Sequence, residues 1–385
     1  MRACAVRATL VCTLMSLALL GCGLAPGVAL SARVEPEASQ GSTDRSAEPV
    51  DGLGRGRVAE VPSPTARATA LRDELAGDFA AAGSAYLRSL DDDESLLADL
   101  RRLSAGRLRV AADGSGDYAT LAQALAAAEP FATIVLAPGR YPAGLEIVQA
   151  VSIVAEGAER GVVEPNQVWL HGAGPVLTSE GPWLRLMGVG LSSGASGPAL
   201  QISGGHADLT DVTFDRGGLQ VSGATVFLSD SRLASLNGAA IALADGARAW
   251  VDRTRVSPGP ATAEAGLAGE RPGAGLVVGD GCQIVARGLR LAGLAPAVVV
   301  GADALLTLTA SDLYDSHGPG IEVSAAGEAR LTDVVVRDGD DVGVLFRAGS
   351  RGLVERCRLR GNRAGQLRWE DGANVEQRDN VVRHD

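Results

Sequence analysis

The chain has 385 residues, of which 46% are hydrophobic but only 3% aromatic, so its core must be built from aliphatic side chains. No lysine occurs, which excludes Schiff-base chemistry on a lysine and a Walker-type phosphate loop, because both need that side chain. The formal net charge of −11 argues against nucleic acid as a partner, since nucleic-acid binding needs clustered positive charge.

The first residues have the pattern of a targeting segment. Two arginines precede an apolar run over residues 8–20, which is too short to cross a bilayer as a helix of the mature protein. The run ends in Leu-Leu-Gly-Cys at 19–22, which resembles the lipobox of bacterial lipoproteins. The resemblance implies that residues 1–21 are a signal peptide and that Cys22 carries a lipid; an ordinary secretory signal is the alternative. Because Gly23 is not acidic, we expect an outer-membrane anchor, with the protein facing the periplasm or the cell surface.

The other cysteines do not indicate a metal or a cofactor. Once the signal peptide is removed and Cys22 is lipidated, only Cys282 and Cys357 remain, too few for a disulfide framework or a zinc site. Both are predicted to be small core residues. The acidic run at 91–94 lacks the spacing of a calcium-binding loop. We therefore expect no bound metal and no cofactor.

Two segments precede the main domain. Residues 22–62 are rich in Ala, Gly, Ser, Pro and charge without a hydrophobic period, which predicts a disordered tether. Residues 63–106 carry apolar residues at three- and four-residue spacing, which predicts a short helical segment, interrupted at the acidic run. Its apolar positions are Leu71, Leu75, Phe79, Ala82, Tyr86, Leu90, Leu96, Leu97, Leu100 and Leu103.

From residue 182 onward the sequence repeats itself, with three short strands in each repeat. Strands this short cannot form a core alone, but coils can stack so that each strand pairs in parallel with its copy in the next coil. The repeat predicts an all-β solenoid, a parallel β-helix, over residues 107–385. Trp369 falls in the inward register and is expected to fill the C-terminal end of the core. The residue that ends the first strand recurs mostly every 22–23 positions, at Leu191, Phe214, Leu233, Val256, Leu291, Leu313, Val336 and Leu359.

A short helix is predicted where the solenoid begins. Thr120 and Gln123 form a capping box, in which the threonine opens the helix and the glutamine closes back on it. Leu121 and Ala124 lie on its apolar stripe. Since a solenoid needs its open end covered, we predict that this helix is an N-terminal cap.

The residues around this helix resemble a known family. Val-Ala-Ala-Asp-Gly-Ser-Gly-Asp-Tyr at 110–118, the helix, and Pro-Gly-Arg-Tyr at 138–141 are similar to the N-terminal part of pectinesterases. Many right-handed parallel β-helix repeat proteins of the pectate-lyase-like superfamily share this opening. The resemblance implies that the solenoid is right-handed. The catalytic strings of pectinesterases, polygalacturonases and pectate lyases are absent, so it implies no activity.

One column of polar residues is a weak candidate for catalysis. Stacking of residues 23 positions apart brings together His317, Asp340 and Arg363, which lie on successive coils at the bend between the first and second strands. Asp315 and Asp338 stack beside them. Carboxylates that converge on a histidine and an arginine can act as general acid and base. Tight turns also prefer Asp, Gly and His, so a packed turn is the competing interpretation.

A ladder of arginines is a candidate ligand-binding surface. Arg232, Arg255 and Arg290 point outward from successive coils, where they could hold the carboxylates of a polyuronate bidentately. Asp230 and Asp252 lie nearby and could instead neutralise the arginines as part of a solvated face.

An aromatic pair is a second candidate surface. Phe227 and Trp250 point outward from neighbouring third strands, where sugar rings could stack on them or another part of the chain could cover them. The helical segment has an apolar face that needs burial, and we expect it to dock there or on the N-terminal end of the solenoid.

These features favour a lipid-anchored protein of the cell envelope with a non-catalytic β-helix. Its predicted role is to bind carbohydrate or an envelope protein, or to serve as a scaffold. The alternative is an enzyme, a polysaccharide lyase or a hydrolase or esterase acting on acidic polysaccharide. A purely structural stalk is the third possibility. Besides the membrane reached through Cys22, the expected partner is a polysaccharide or an envelope protein, and not nucleic acid.

Overall fold

The computed structural model describes residues 69–71, 73, 79–89, 94–161, 167–194, 197–235, 238–258 and 273–383. The predicted signal peptide, the lipid site at Cys22 and the tether lie outside these residues. In the described part, no helix combines the length and the apolar character needed to cross a membrane.

The described residues fold into a right-handed parallel β-helix of 33 strands in three parallel sheets, which we number 1 to 3. Each complete turn contributes one strand to each sheet, and the eleven strands of sheet 2 correspond to about eleven turns. The predicted fold is therefore confirmed.

Sheet 1 has twelve strands. They are β1 (Arg107–Val110), β2 (Ala132–Leu136), β5 (Val151–Ala155), β8 (Trp183–Met187), β11 (His206–Thr210), β14 (Thr225–Ser229), β17 (Arg248–Asp252), β20 (Gln283–Arg287), β23 (Leu305–Thr309), β26 (Glu328–Thr332), β29 (Arg351–Glu355) and β32 (Asn374–Arg378).

Sheet 2 has eleven strands and carries the groove described below. They are β3 (Gly139–Pro142), β6 (Val168–Gly172), β9 (Gly190–Ser193), β12 (Thr213–Arg216), β15 (Arg232–Ser235), β18 (Arg255–Pro258), β21 (Arg290–Ala292), β24 (Asp312–Tyr314), β27 (Val335–Arg337), β30 (Arg358–Arg360) and β33 (Val381–Arg383).

Sheet 3 has ten strands. They are β4 (Leu145–Ile147), β7 (Leu177–Ser179), β10 (Leu200–Ser203), β13 (Leu219–Ser222), β16 (Ile241–Ala244), β19 (Leu276–Val278), β22 (Val298–Val300), β25 (Ile321–Val323), β28 (Val344–Phe346) and β31 (Leu367–Trp369).

The predicted register is confirmed along sheet 2. Leu313 pairs with Val336, and Val336 pairs with Leu359, as the repeat requires. These three side chains are fully buried, while the residues on either side of them in each strand point away from the core. Cys282 and Cys357 are also buried, as predicted, and burial raises the pKa of both thiols.

The prediction for Trp369 is wrong. It pairs with the buried Phe346 and so occupies the inward register, but it is 50% exposed. The reason is its place in β31, the last strand of sheet 3, on which no further described strand stacks. An inward position is buried only when the next turn covers it.

Helix α3 (Leu121–Ala127) begins with the predicted capping box. The Gln123 amide donates to Thr120 Oγ1 and the Thr120 amide donates to Gln123 Oε1, both at 3.3 Å. Leu121 and Ala124 are buried in the solenoid core. That this helix covers the open end remains a prediction.

Helices α1 (Phe79–Ser89) and α2 (Glu94–Arg102) form a second core against the outside of sheet 1. Tyr86, Leu96 and Leu100 are buried there together with Phe131 and Trp183 of the solenoid. A short 3-10 helix follows at Ala158–Arg160. The helices thus dock on the outer face of sheet 1 over the N-terminal turns and reach Phe227, which belongs to the first of the two expected places.

The structure describes only part of the predicted helical segment. Leu75 and Leu90 lie outside the described residues. Leu71 is 45% exposed, so its assignment to the apolar face is wrong, whereas Ala82 and Tyr86 are buried as predicted.

From Gly188 onward, the corner between sheets 1 and 2 contains one residue in the left-handed backbone region on each turn. Glycine and aspartate tolerate this conformation best. Arg253 and Arg356 also adopt it, with φ of 45° and 50°. The corner residues from Gly188 to the last turn are Gly188, Asp211, Asp230, Arg253, Gly288, Ala310, Asp333, Arg356 and Asp379.

Candidate functional site: an arginine-lined groove

The outer face of sheet 2 forms an open groove of about 1140 Å³. It runs across seven consecutive strands, from β15 to β33. Successive parallel strands are spaced by about 4.8 Å, so the groove extends for roughly 29 Å along the solenoid. Its charged lining consists of Arg232, Arg253, Arg255, Arg290, Arg337, Arg358, Arg360, Arg383, Asp230, Asp312 and Asp333.

The predicted arginine ladder forms one wall of this groove. Arg232 pairs with Arg255 and Arg255 pairs with Arg290 in the strand register, so their Cα atoms are stacked on three successive turns. All three residues are exposed, because the neighbouring positions Leu233 and Val256 take the inward direction.

The aspartates expected to neutralise the ladder bind a different arginine. Arg253 donates from Nε and Nη2 to the two carboxylate oxygens of Asp230, at 2.7 and 2.8 Å, and also pairs with Asp252. This arrangement lowers the pKa of Asp230. The interpretation of the ladder as a face neutralised by these two aspartates is therefore not supported by the geometry.

Six lining arginines have no ion-pair partner in the described part of the chain. One of them is Arg232, whose charge partly opposes the burial that raises the pKa of Asp211. The other five are Arg255, Arg290, Arg358, Arg360 and Arg383.

A second column of arginines was missed by sequence reasoning. Arg337 pairs with Arg360, and Arg360 pairs with Arg383, on the last three strands of sheet 2. The signal was available, because these residues are separated by 23 positions each and lie two residues after the outward ladder position.

The middle of the groove has a different character. Arg337 donates from Nε and Nη2 to Asp312 at 3.3 and 3.2 Å, and from Nη1 to Asp338 at 2.8 Å. Its guanidinium carbon lies 4.5 Å from the centre of the Tyr314 ring, a cation–π contact. The hydrogen bonds to Asp312 and Asp338 raise the pKa of Arg337.

The predicted His317 column is present. His317 Nδ1 lies 2.9 Å from Asp340 Oδ2, and Arg363 Nη1 lies 2.9 Å from Asp340 Oδ1. The hydrogen bond from His317 lowers the pKa of Asp340, and Arg363 adds to the effect. The three side chains are exposed at 50%, 45% and 79%, and none of them lines the groove.

The other two candidate carboxylates do not converge on His317. Asp338 binds Arg337, and the side chain of Asp315 forms no ion pair within the described residues. Both have left-handed backbones, with φ of 60° and 55°, in the turns between sheets 2 and 3. Their placement fits the turn interpretation, because aspartate tolerates this conformation.

The described residues contain no group of three His, Cys, Asp or Glu side chains that could hold a metal ion. Residues 91–93 of the acidic run lie outside the described residues.

The aromatic pair lies on the outer face of sheet 1, as predicted. The rings of Phe227 and Trp250 stack with centroids 5.1 Å apart and planes 17° from parallel. They border a cavity of about 460 Å³ whose other side is formed by Leu97 and Arg101 of α2. Phe227 packs partly against the helical core, so another part of the chain covers one side of this surface, as one of the two predictions has it.

Comparison with known proteins concerns mainly the architecture. The family model described as "Right handed beta helix region" matches residues 274–385. No curated protein matches the sequence. Among solved structures, an alginate lyase from Paenibacillus sp. is 14% identical, with a TM-score of 0.42, and the match covers 72% of this chain and 100% of the lyase.

Two further solved structures are similar at the same level. Pectate lyase Pel9A is 13% identical with a TM-score of 0.39, over 73% of this chain and 77% of the lyase. The periplasmic alginate epimerase AlgG is 8% identical with a TM-score of 0.37, over 66% of this chain and 77% of the epimerase. At these identities no activity follows for this chain. Residues 274–385 are similar to the right-handed β-helix family, and the described solenoid has that architecture throughout.

Proposed function

We propose that this protein binds an acidic polysaccharide along the groove of sheet 2 without transforming it, while a lipid at Cys22 holds it at the cell envelope. One observation carries the proposal. Six arginines in strand register line one open groove and have no ion-pair partner within the described residues.

The chemistry of the groove suits a repeating carboxylate. A guanidinium presents its donors in a planar fork that matches a carboxylate bidentately, and it stays charged at any physiological pH. Arginines on stacked turns repeat every 4.8 Å or so, which lets one polymer chain make several contacts in succession. Individually weak, exposed contacts then add up over the length of the chain.

A polysaccharide fits this groove better than a nucleic acid does. Proteins that bind single strands combine cationic grooves with aromatic rings on which bases stack. Tyr314 is the aromatic residue beside this groove, and Arg337 already lies over its ring.

The enzyme alternative is supported by one observation, the contact between His317 and Asp340. A carboxylate that accepts from Nδ1 of a histidine can orient the ring so that Nε2 takes a proton from a substrate. Such a base would act on an acidic polysaccharide as part of a lyase, a hydrolase or an esterase. The pair is about half exposed and lies outside the groove lining, which favours binding without catalysis.

The test is affinity electrophoresis of the mature full-length protein in detergent, through gels that contain acidic or neutral polysaccharides. We expect retardation by acidic polymers alone. Arg255→Ala and Arg290→Ala should each weaken binding about tenfold, because each removes a hydrogen-bonded charge pair with the ligand. Arg351→Ala is the matched control, since Arg351 is equally exposed but points outward from sheet 1.

The same mixtures are assayed for new reducing ends, unsaturated products and released methanol. Product that disappears in Asp340→Asn would establish the enzyme alternative and overturn the non-catalytic proposal. Tighter retention by single-stranded nucleic acid than by any polysaccharide would overturn the choice of ligand.

A further inference from the structure

We infer that the groove consists of two cationic half-sites separated by an anionic centre, and that it selects acidic polysaccharides whose ionised residues are interrupted by uncharged ones. This inference rests on the proposed function and specifies the ligand of the same groove.

The first half-site is the original ladder. Arg232, Arg255 and Arg290 lie on three consecutive turns and span about 10 Å along the groove. The second half-site contains Arg358, Arg360 and Arg383 on the last two turns of sheet 2. Neither half-site contains an acidic residue in its outward columns.

The centre interrupts the ladder with the opposite charge. In the strand register, Arg290 pairs with Asp312, Asp312 with Val335, and Val335 with Arg358. The position that carries arginine on the three preceding turns thus becomes a carboxylate and then an apolar residue.

The one guanidinium at the centre is shared by two carboxylates. Arg337 binds both Asp312 and Asp338, so these three side chains together carry a formal charge of −1. The cation–π contact with Tyr314 further fixes the guanidinium over the ring. The donors of Arg337 are therefore used by Asp312 and Asp338, whereas those of Arg255 are free to bind a ligand.

A polymer that reaches both half-sites must cross this centre. From Arg290 to Arg358 is three strand spacings, about 14 Å, so several sugar residues of the chain lie over Asp312 and Tyr314. Ionised residues there would be repelled by the net negative charge, whereas uncharged residues would not. Their hydroxyl groups can donate hydrogen bonds to the Asp312 carboxylate.

The experiment compares two polyuronates on the mature full-length protein at fixed ionic strength, by isothermal titration. One is fully ionised polygalacturonate, and the other carries ionised blocks interrupted by methyl-esterified ones. We expect the wild-type protein to bind the interrupted polymer at least as tightly as the fully ionised one, although it has fewer charges.

Asp312→Asn removes the repulsion while keeping the shape of the side chain. It should raise the affinity for the fully ionised polymer about fivefold and change that for the interrupted polymer less than about twofold. Asp338→Asn, at the turn beside the groove, should act in the same direction. Asp303→Asn is the matched control, because Asp303 is exposed at a corner leading into sheet 1 and makes the same charge change away from the groove.

The outcomes separate the two proposals. If the wild-type protein prefers the fully ionised polymer, or if Asp312→Asn changes both affinities equally, the divided groove is refuted while the polysaccharide function stands. If the protein binds neither polymer, the proposed function itself fails. If the Asp303→Asn control matches Asp312→Asn, the effect comes from net charge, and the divided groove is again refuted.

Discussion

Two groups of arginines on neighbouring faces of the solenoid have opposite surroundings. Under the helical segment, Arg101 donates from Nε and Nη2 to Asp208 at 2.7 and 2.8 Å, and Asp208 is fully buried. Arg185 lies 3.7 Å from the same carboxylate and donates to the Arg101 carbonyl at 3.0 Å. In the groove, by contrast, Arg255 and Arg290 are exposed and make no ion pair within the described residues.

The comparison separates arginines that are paired within the fold from arginines that are free to meet a ligand. Burial lowers the pKa of Arg185, and the Asp208 carboxylate opposes that effect, so the buried guanidinium depends on this carboxylate. The groove arginines are solvated and gain nothing from the fold. A row of solvated, unpaired charges in register contributes little to the stability of the protein, which is why the proposed function assigns these arginines to a ligand.

The largest expected effect is on the buried group. Asp208→Asn leaves Arg185, whose side chain is only 11% exposed, without its carboxylate, and should lower the free energy of unfolding by about 3 kcal/mol or more. It should also release the helical segment, which would become sensitive to limited proteolysis. Unfolding in denaturant and the rate of cleavage within residues 63–106 measure the two effects.

The control for this prediction is Asp230→Asn at the exposed pair with Arg253. The geometry is equally bidentate, but both side chains are about half exposed, so the loss should stay within about 1 kcal/mol. Equal losses in the two variants would show that burial does not distinguish the two groups of arginines.

A smaller contrast is expected in the response to salt. Raising the ionic strength from about 0.1 M to about 1 M shortens the screening length from about 10 Å to about 3 Å. Binding of acidic polysaccharide to the exposed groove should weaken at least tenfold or so over this range, whereas the buried pair is screened much less. Isothermal titration and proteolysis of the helical segment follow both across one salt series. If high salt releases the helices and leaves polysaccharide binding unchanged, the prediction that the groove is more sensitive to salt than the buried pair is wrong.

The sequence was sufficient for the stacking of residues and insufficient for their pairing. The spacing of 23 positions correctly placed Arg255 over Arg232, and Asp340 between His317 and Arg363, because parallel stacking depends only on the length of each turn. The same spacing stacks Arg253 on Asp230, but it could not assign Asp312 to Arg337, because these residues are 25 positions apart and meet diagonally between stacked strands.

The same limit explains the errors at the ends of the molecule. Trp369 has the right register, but no further described strand stacks on it to bury it. The sequence predicts two possible docking sites for the helices. It does not identify the contact between Arg101 and the buried Asp208 carboxylate, because the two residues are 107 positions apart. No local pattern in the helix identifies a partner so remote, since periodicity defines only which face is apolar.

The smallest effect is expected at the exposed column of His317, Asp340 and Arg363. The pKa of Asp340 is lowered in the folded protein, chiefly by the hydrogen bond from His317. The interaction therefore stabilises the fold at pH values above the usual pKa of an aspartate. That contribution is lost as the pH falls through the lowered pKa. Asp340→Asn should therefore lower the melting midpoint slightly at neutral pH and leave it unchanged in strong acid. Thermal unfolding of both proteins from pH 7 to pH 2 measures the difference. A difference that persists in acid would mean that Asp340 acts through the packing of its turn and not through its charge.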